Sequence, residues 1–193
     1  SAAGESIGLA NTNGVLIDGI TYGPQLVDVS EGRLPDGSTN RVSFPTTPTP
    51  GDGNYLPLTN VVINEVLSNP TNAALEQAIE LLNVSGTPLD LSGWYLSNTK
   101  RFLNKYRLPN GTVLPANGFL VVYQNQFYYD PRDVASFLFD TVNGDQAYLS
   151  QVDNRGNLTG YRAVQNFGAA APGVSFGRYS NSVGHVDFVA LSQ

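Results

Sequence analysis

A block of about fifty residues is written twice in this chain, and any fold proposed for it must accommodate both copies. VSEGRL at 29–34 returns as VSFGRY at 174–179, an offset of 174 − 29 = 145. Downstream, GRLPDGSTNRVSF (32–44) lies against GRYSNSVGHVDF (177–188) with a one-residue gap, and upstream GESIGLA (4–10) lies against GDQAYLS (144–150), an offset of 144 − 4 = 140. Between them, NGVLIDGITYG stands in the place of RGNLTGYRAVQNFG. A repeat at that distance is longer than a solenoid unit and approaches the size of a domain. The expectation is tandem modules, with the first present only as its C-terminal half.

The residues between the turns say what kind of module this is. Short Val, Leu, Tyr and Phe runs alternate with polar residues and are punctuated by 20 Gly, 12 Pro and many Asn, Ser and Thr, which predicts an all-β fold rich in turns. NTNG and PDGSTN carry the Asn-Gly and Asp-Gly pairs of tight hairpins, so residues 1–44 are expected as a string of hairpins. In PTTPTPGDGNYLPL (45–58) the prolines favour extended geometry, which assigns 45–59 as an inter-domain linker. A complete strand set follows over 60–193. One segment conflicts with it: NAALEQAIELL (72–82) has an Asn cap candidate and good helix formers, while only AIELL alternates as a strand does. The expectation there is a short turn running into a strand.

Charge and cysteine content narrow the function classes. Only 13% of residues are charged and the net charge is −6, so no basic stripe is available for phosphates or anionic lipid, and nucleic acid is not an expected partner. The absence of Cys excludes disulfides, thiolate catalysis and Cys-ligated zinc. No apolar run approaches the ~20 residues needed to cross a bilayer, so direct membrane insertion is not expected. The chain opens on Ser1 with no signal-peptide pattern, which predicts a processed or trimmed start with any targeting signal upstream.

NVVINEVLSNP, AIELLNVSGTPLDLSGWYLSN, YRLPNGTVLPANGFLVVY and GDQAYLSQVDNRGN follow one another in the order of the lamin-tail domain, and the sequence resembles that family over 60–193. The most specific part is LDLSGWYLS followed at short range by YRLPNGTVLPANG. The resemblance implies an immunoglobulin-like β-sandwich, with 1–54 as the C-terminal half of a preceding copy. The closing GVSFGRY and VDFVALS look like the exported bacterial branch of the family, whose modules accompany surface hydrolases, nucleases or kinase-like domains. It thus implies an extracellular or cell-surface location, no enzymatic activity, no cofactor, and a spacing, attachment or binding role toward proteins or surface glycans.

Individual residues can be weighed by their chemistry. Trp94, after Leu89, Leu91 and Gly93, is expected to plug the space between two sheets. Gly32-Arg33 and Gly177-Arg178 recur in both copies, so each Arg is expected to pair with a carboxylate in a structural role. His185 is the only histidine and has no Cys or nucleophile beside it in sequence, which reads as a surface residue. Phe127, Tyr128 and Tyr129 are consecutive, and since neighbours on a strand alternate faces at least one must leave the core. They read either as loop anchors or as a carbohydrate-stacking patch. Glu65, Glu76 and Glu80 admit a hydrolase with paired carboxylates, although a small sandwich rarely offers the cleft. Asn64, Asn143, Asp145, Asp153 and Asn157, with Glu65 and Glu80, offer oxygen ligands for Ca²⁺, while 153–157 also reads as an ordinary hairpin turn. Finally, strands in 1–54 without partners leave apolar faces open, which predicts a homodimer through that segment.

Overall fold

The computed structural model describes residues 3–71 and 75–191, which form two compact units, Ser1–Leu56 and Pro57–Gln193. In the first unit, β1 (Glu5–Ala10) and β2 (Leu16–Tyr22) make one antiparallel hairpin, and β3 (Ser30–Arg33) and β4 (Arg41–Phe44) a second. Arg33 Nη2 donates to Asp18 Oδ1 at 2.6 Å, and the Arg41 guanidinium donates to the Thr21 carbonyl, so two arginines tie the hairpins together. Leu34, Phe44 and Thr47 are buried here.

The stretch expected as an extended tether folds back instead. Thr47 Oγ1 donates to the Tyr55 carbonyl at 2.7 Å, Thr49 Oγ1 to Asn54 Oδ1 at 2.9 Å, and Asn54 Nδ2 to the Arg33 carbonyl at 3.1 Å. Gly32 makes room for this, because a Cβ there would stand 2.8 Å from Asn54 Nδ2. Proline content reports stiffness, whereas these side-chain hydrogen bonds decide the path.

The second unit begins within β5 (Leu56–Pro57) and continues with β6 (Val61–Leu67), β7 (Ala78–Asn83), β8 (Leu89–Asp90), β9 (Tyr95–Ser97), β10 (Tyr106–Arg107), β11 (Val113–Leu114) and β12 (Phe119–Tyr123). A helical turn, α1 (Gln124–Phe127), precedes β13 (Asp145–Val152), β14 (Leu158–Phe167), β15 (Ser175–Ser180) and β16 (Val186–Leu191). One antiparallel sheet has the order β12-β7-β6-β15-β16, and the other carries β10-β9-β13-β14, with Leu58 N–H donating to the Arg162 carbonyl of β14. The two form an immunoglobulin-like β-sandwich around Val61, Ile63, Val66, Ile79, Leu81, Leu96, Leu149 and their neighbours. No helix of the described residues is long and apolar enough to cross a membrane.

Three local irregularities keep apolar side chains facing this core. In β6 the register shifts between Ile63 and Glu65, so that Val61, Ile63 and Val66 are all buried despite the odd spacing of the last. β13 shifts likewise between Ser150 and Val152. The third lies before β9. Alternation from Leu89 and Leu91 lands on Gly93, not on Trp94; a turn at Ser92 and Gly93 moves the phase by one residue, and Trp94 and Leu96 enter the core. Gly93 has φ +79°, and a Cβ on it would stand 2.7 Å from Arg107 Nη2. The backbone is locked on both sides, with Gly93 N–H donating to the Leu108 carbonyl at 3.0 Å and Leu108 N–H to the Trp94 carbonyl at 2.8 Å.

The helix-prone segment resolves into a strand from Ala78, with Ile79, Leu81 and Asn83 buried in alternation; positions 72–74 lie outside the described residues. Gln77 fixes its entry. Its Nε2 donates to the Ser68 and Phe139 carbonyls at 2.7 and 3.1 Å, and its Oε1 accepts from Phe139 N–H at 2.8 Å. Pairing with β6 on one side and β12 on the other outweighs local helix propensity.

Trp94 is 7% exposed, and its truncation to Ala is expected to cost about 3–5 kcal/mol, with a blue-shifted native emission that moves to the red on unfolding. Gly93→Ala is expected to cost about 1–3 kcal/mol for the left-handed backbone alone. Denaturant melts check both, and an unchanged midpoint for either would remove the residue from the scaffold.

Candidate functional site

The consecutive aromatics separate by depth. Because Phe127 ends a helical turn and not a strand, its ring turns fully inward and stacks on Phe137 with centroids 4.8 Å apart. Phe139, Phe167 and Phe176 continue this chain of rings through the core. Tyr128 is half-buried against it. Tyr129 is exposed, and its hydroxyl donates to Asp133 Oδ2 at 2.5 Å; that hydrogen bond raises the Tyr129 pKa and lowers that of Asp133. Of the three rings expected as a possible patch, Phe127 is therefore unavailable, and no three-ring platform exists.

The acidic candidates also fall apart in space. Glu65 and Glu80 are direct cross-strand partners on the outer face of their sheet, in a row that reads Val121, Glu80, Glu65, Gly177, Val189. Glu80 Oε1 accepts from Asn64 Nδ2 at 2.7 Å, which fixes the residue inserted at the β6 bulge. Glu76 is apart from this row: its Oε2 accepts from Asn125 N–H at 3.1 Å.

Two of the oxygen ligands considered for Ca²⁺, Asp145 and Asp153, accept hydrogen bonds from the fold. Asp145 and Asp153 bracket the eight-residue β13, about 25 Å apart along an extended strand, so they cannot share an ion. Asp145 accepts from Asn98 Nδ2, Asp140 N–H and Gln146 N–H. Asp153 Oδ1 accepts from the Arg155 and Asn157 N–H groups, both at 2.9 Å, and Asn157 Nδ2 donates to its Oδ2 at 3.2 Å. The same turn is built twice more with a neutral side chain. Asn11 Oδ1 accepts from Asn13 and Val15 N–H, and Asn181 Oδ1 from Val183 and His185 N–H, each with a left-handed Gly at the fourth position. Asp153 thus does the work of a turn residue. Among the described residues no group of three His, Asp or Glu is placed to hold a metal ion.

Arg33 and Arg178 share a motif but not a setting. Arg33 pairs with Asp18, whereas Arg178 is exposed on β15 opposite Phe188. His185 is exposed, with Nδ1 3.2 Å from Asp187 Oδ1.

An open depression of about 760 Å³ gathers residues that are distant in sequence: Asp90, Trp94, Tyr95, Arg107, Asp153 and Arg155 are among those lining it. Asp90 is held below the usual carboxylate range by hydrogen bonds from Ser92, and Arg107 Nη1 donates to Asn110 Oδ1 at 3.2 Å. The close approach of Gly93 to Arg107, 2.7 Å from a Cβ at Gly93 to Nη2, seats the guanidinium at this depression, and no sequence pattern signals it. Its lining combines the charged groups Asp90, Arg107, Asp153 and Arg155 with Ser92, Trp94 and Tyr95, a mixture that offers hydrogen bonds and ring surface. Asn83 was also not singled out from sequence. Fully buried, it donates to the Thr87, Leu114 and Pro115 carbonyls and accepts from Ser85, fixing the loop after β7.

The family model of the Lamin Tail Domain matches residues 57–167, more than half of the chain and the whole run from Pro57 to the end of β14. The chain belongs to the lamin tail domain family. No curated protein and no solved structure matches it. The matched lamin-tail span contains Gly93, Trp94, Glu80 and the 153–157 turn, and it stops before β15 and β16. Those two strands complete the sheet by pairing on β6, Phe176 opposite Val66 and Gly177 opposite Glu65.

The turn assignment predicts pH behaviour. Hydrogen bonds from Asn157 lower the Asp153 pKa, so the unfolded chain binds that proton more readily; the stabilisation is present above about pH 4 and lost as pH falls through the lower folded value. Asp153→Asn is expected to melt like the wild type at pH 7 and to lose less of its melting temperature on acidification. Millimolar Ca²⁺ is expected to move neither curve. A Ca²⁺-dependent rise abolished by that substitution would establish a metal site instead.

Proposed function

We propose that this lamin-tail protein is a non-catalytic spacing and interaction module of a larger exported bacterial protein, acting at the cell surface toward a protein partner. The observation that carries the reading is how two of the three catalytic candidates, Glu76 and Glu80, and two of the metal-ligand candidates, Asp145 and Asp153, are spent. Glu80 holds Asn64 at a bulge, Glu76 accepts the Asn125 N–H, and Asp145 and Asp153 accept turn and strand-end hydrogen bonds. A general acid or nucleophile must be free to exchange a proton or attack, and groups already serving backbone and bulge donors are poorly suited to either. The absence of Cys is compatible with a reduced cytosol and with an exported β module alike, so the exported setting rests on the likeness of the closing strands to the bacterial branch of the family.

A carbohydrate-binding role is the competing reading, and what favours it is the exposed ring of Tyr129 beside the Asp130–Arg132 ion pair. One ring offers a single stacking contact, worth little by itself without further aromatic area.

The expected outcome is no turnover above buffer on esterase, phosphatase, nuclease and glycosidase substrates. Glu80→Gln is expected to stay folded and lose about 1 kcal/mol through the weakened bond to Asn64. Reproducible hydrolysis abolished by Glu80→Gln would overturn the reading. Retention on a glycan array, lost in Tyr129→Ala, would replace the protein partner with a sugar.

A further inference from the structure

The first unit repeats the last four strands of the second in sequence, and its first hairpin repeats β13–β14 in geometry as well. Gly4 and Gly144 both have positive φ, +106° and +80°, and a Cβ on either would meet the same element of the paired strand, the Tyr22 carbonyl and Gly23 in one case and the Phe167 carbonyl and Gly168 in the other. From those anchors Glu5 pairs with Tyr22 as Asp145 pairs with Phe167, and Ile7 with Ile20 as Ala147 with Gln165. Each hairpin closes with the same Asx turn, 11–15 and 153–157, and each has a register shift near that end. β1–β2 is therefore the counterpart of β13–β14, while β3–β4 matches β15–β16 in sequence with a different register, Phe44 opposite Ser30 where Phe188 is opposite Arg178.

Their surroundings differ. Ala147 and Leu149 are 0% exposed, whereas their counterparts Ile7 and Leu9 are 60% and 62% exposed. In the second unit the outer edge of β13 is covered by β9, with Leu149 opposite Leu96 and Ser150 opposite Tyr95, while β1 has β2 as its sole strand neighbour among the described residues. An open edge beside two large exposed aliphatics is a surface that needs a partner. The counterpart shows what fits it: a strand with an apolar residue opposite Leu9, as part of a segment that lays an apolar sheet over the Ile7 and Leu9 face.

We infer that the edge of β1 and its Ile7–Leu9 face are the docking surface for a lamin-tail N-terminal half, a segment of the β6-to-α1 kind, which completes a second sandwich around the first unit. A second copy of the first unit fits less well. It would bring another hairpin of the β13–β14 kind to a place that its counterpart fills with the Trp94-to-Ser97 segment, and it carries no residue in the role of Trp94, the chain's single tryptophan. The inference rests on the first unit alone, so its failure leaves the reading of the second unit intact.

The test supplies such a half as an extension. Residues 57–143 are duplicated and joined ahead of Gly4 of the full chain, which raises their effective concentration at the surface. Because the chain has no Cys, a disulfide reports position unambiguously. Leu9→Cys combined with Leu96→Cys in the added copy is expected to cross-link under mild oxidation within one polypeptide, and β1 amides are expected to exchange about a hundredfold more slowly than in the unextended chain. Gly8→Cys with the same partner, whose side chain points to the opposite face, is expected to cross-link far less. Equal cross-linking of the two pairs, or none, overturns the proposal. So does a Leu9→Cys dimer formed by the unextended chain and matched by a two-fold mass in light scattering, which would make a second copy the occupant.

Discussion

The second unit depends on one buried surface, the meeting of two sheet faces over Trp94, Leu96 and Leu149 from one side and Ile79, Leu81 and Val66 from the other. Burial of that kind is worth roughly 25 cal/mol per Å² of apolar area, and it outweighs the smaller costs of irregular backbone. The irregularities follow from it. A bulge at Asn64, a register shift after Ser150 and a left-handed turn at Gly93 each interrupt a regular strand, and each brings the next apolar residue back to the inside. At the β6 bulge the inserted polar residue is satisfied locally, Asn64 by Glu80. Core packing thus dictates where the polar side chains can be used, and in this protein it uses most of the acidic ones.

Much of this was legible in the sequence, and the boundary of legibility is physical. Short-range rules were sufficient where the structure is set within a few residues, as in the Asn-Gly turns and alternating strands; Trp94 is inward as expected, but through the phase shift at Ser92 and Gly93 and not through alternation. The rules failed where a distant partner decides. Local propensity favours a helix through 72–82, yet β6 and β12 and the Gln77 contacts to Ser68 and Phe139 make 78–83 a strand. Phe127 was readable as a surface ring only under strand alternation, and a single helical turn sends it inward. The prolines of 45–59 indicate extension, while Asn54 and Thr47 reverse the chain with hydrogen bonds that no composition rule contains. The depression beside Trp94 was invisible for the same reason, since Asp90 and Asp153 are brought together only by the sandwich.

The two copies of one hairpin separate what a local sequence specifies from what its surroundings supply. Gly4 and Gly144, Asn11 and Asp153, Gly14 and Gly156 give the same strand entry and the same turn in both. Burial differs completely, because it belongs to the strands laid alongside. Hairpin geometry costs little to encode and is fixed by turn chemistry, but a two-stranded hairpin is marginal in water without a third strand or a covered face. The first unit supplements its hairpins with the Arg33–Asp18 pair, the Arg41 bond to Thr21 and the returning segment around Asn54, all polar and largely at the surface. Exposed ion pairs contribute little.

That asymmetry bears on what the module does. A sandwich that spends its carboxylates on turns and bulges keeps few polar groups poised for chemistry, while its strand edges and outer faces remain available as recognition surfaces. Association through such edges uses backbone hydrogen bonds for affinity and alternate side chains for selection. In this chain the selecting positions would be those that β13 uses internally, where Leu149 meets Leu96 and Ser150 meets Tyr95. A fold that completes itself by pairing one half with another already contains an interface of that kind, and the first unit presents one side of it to solvent.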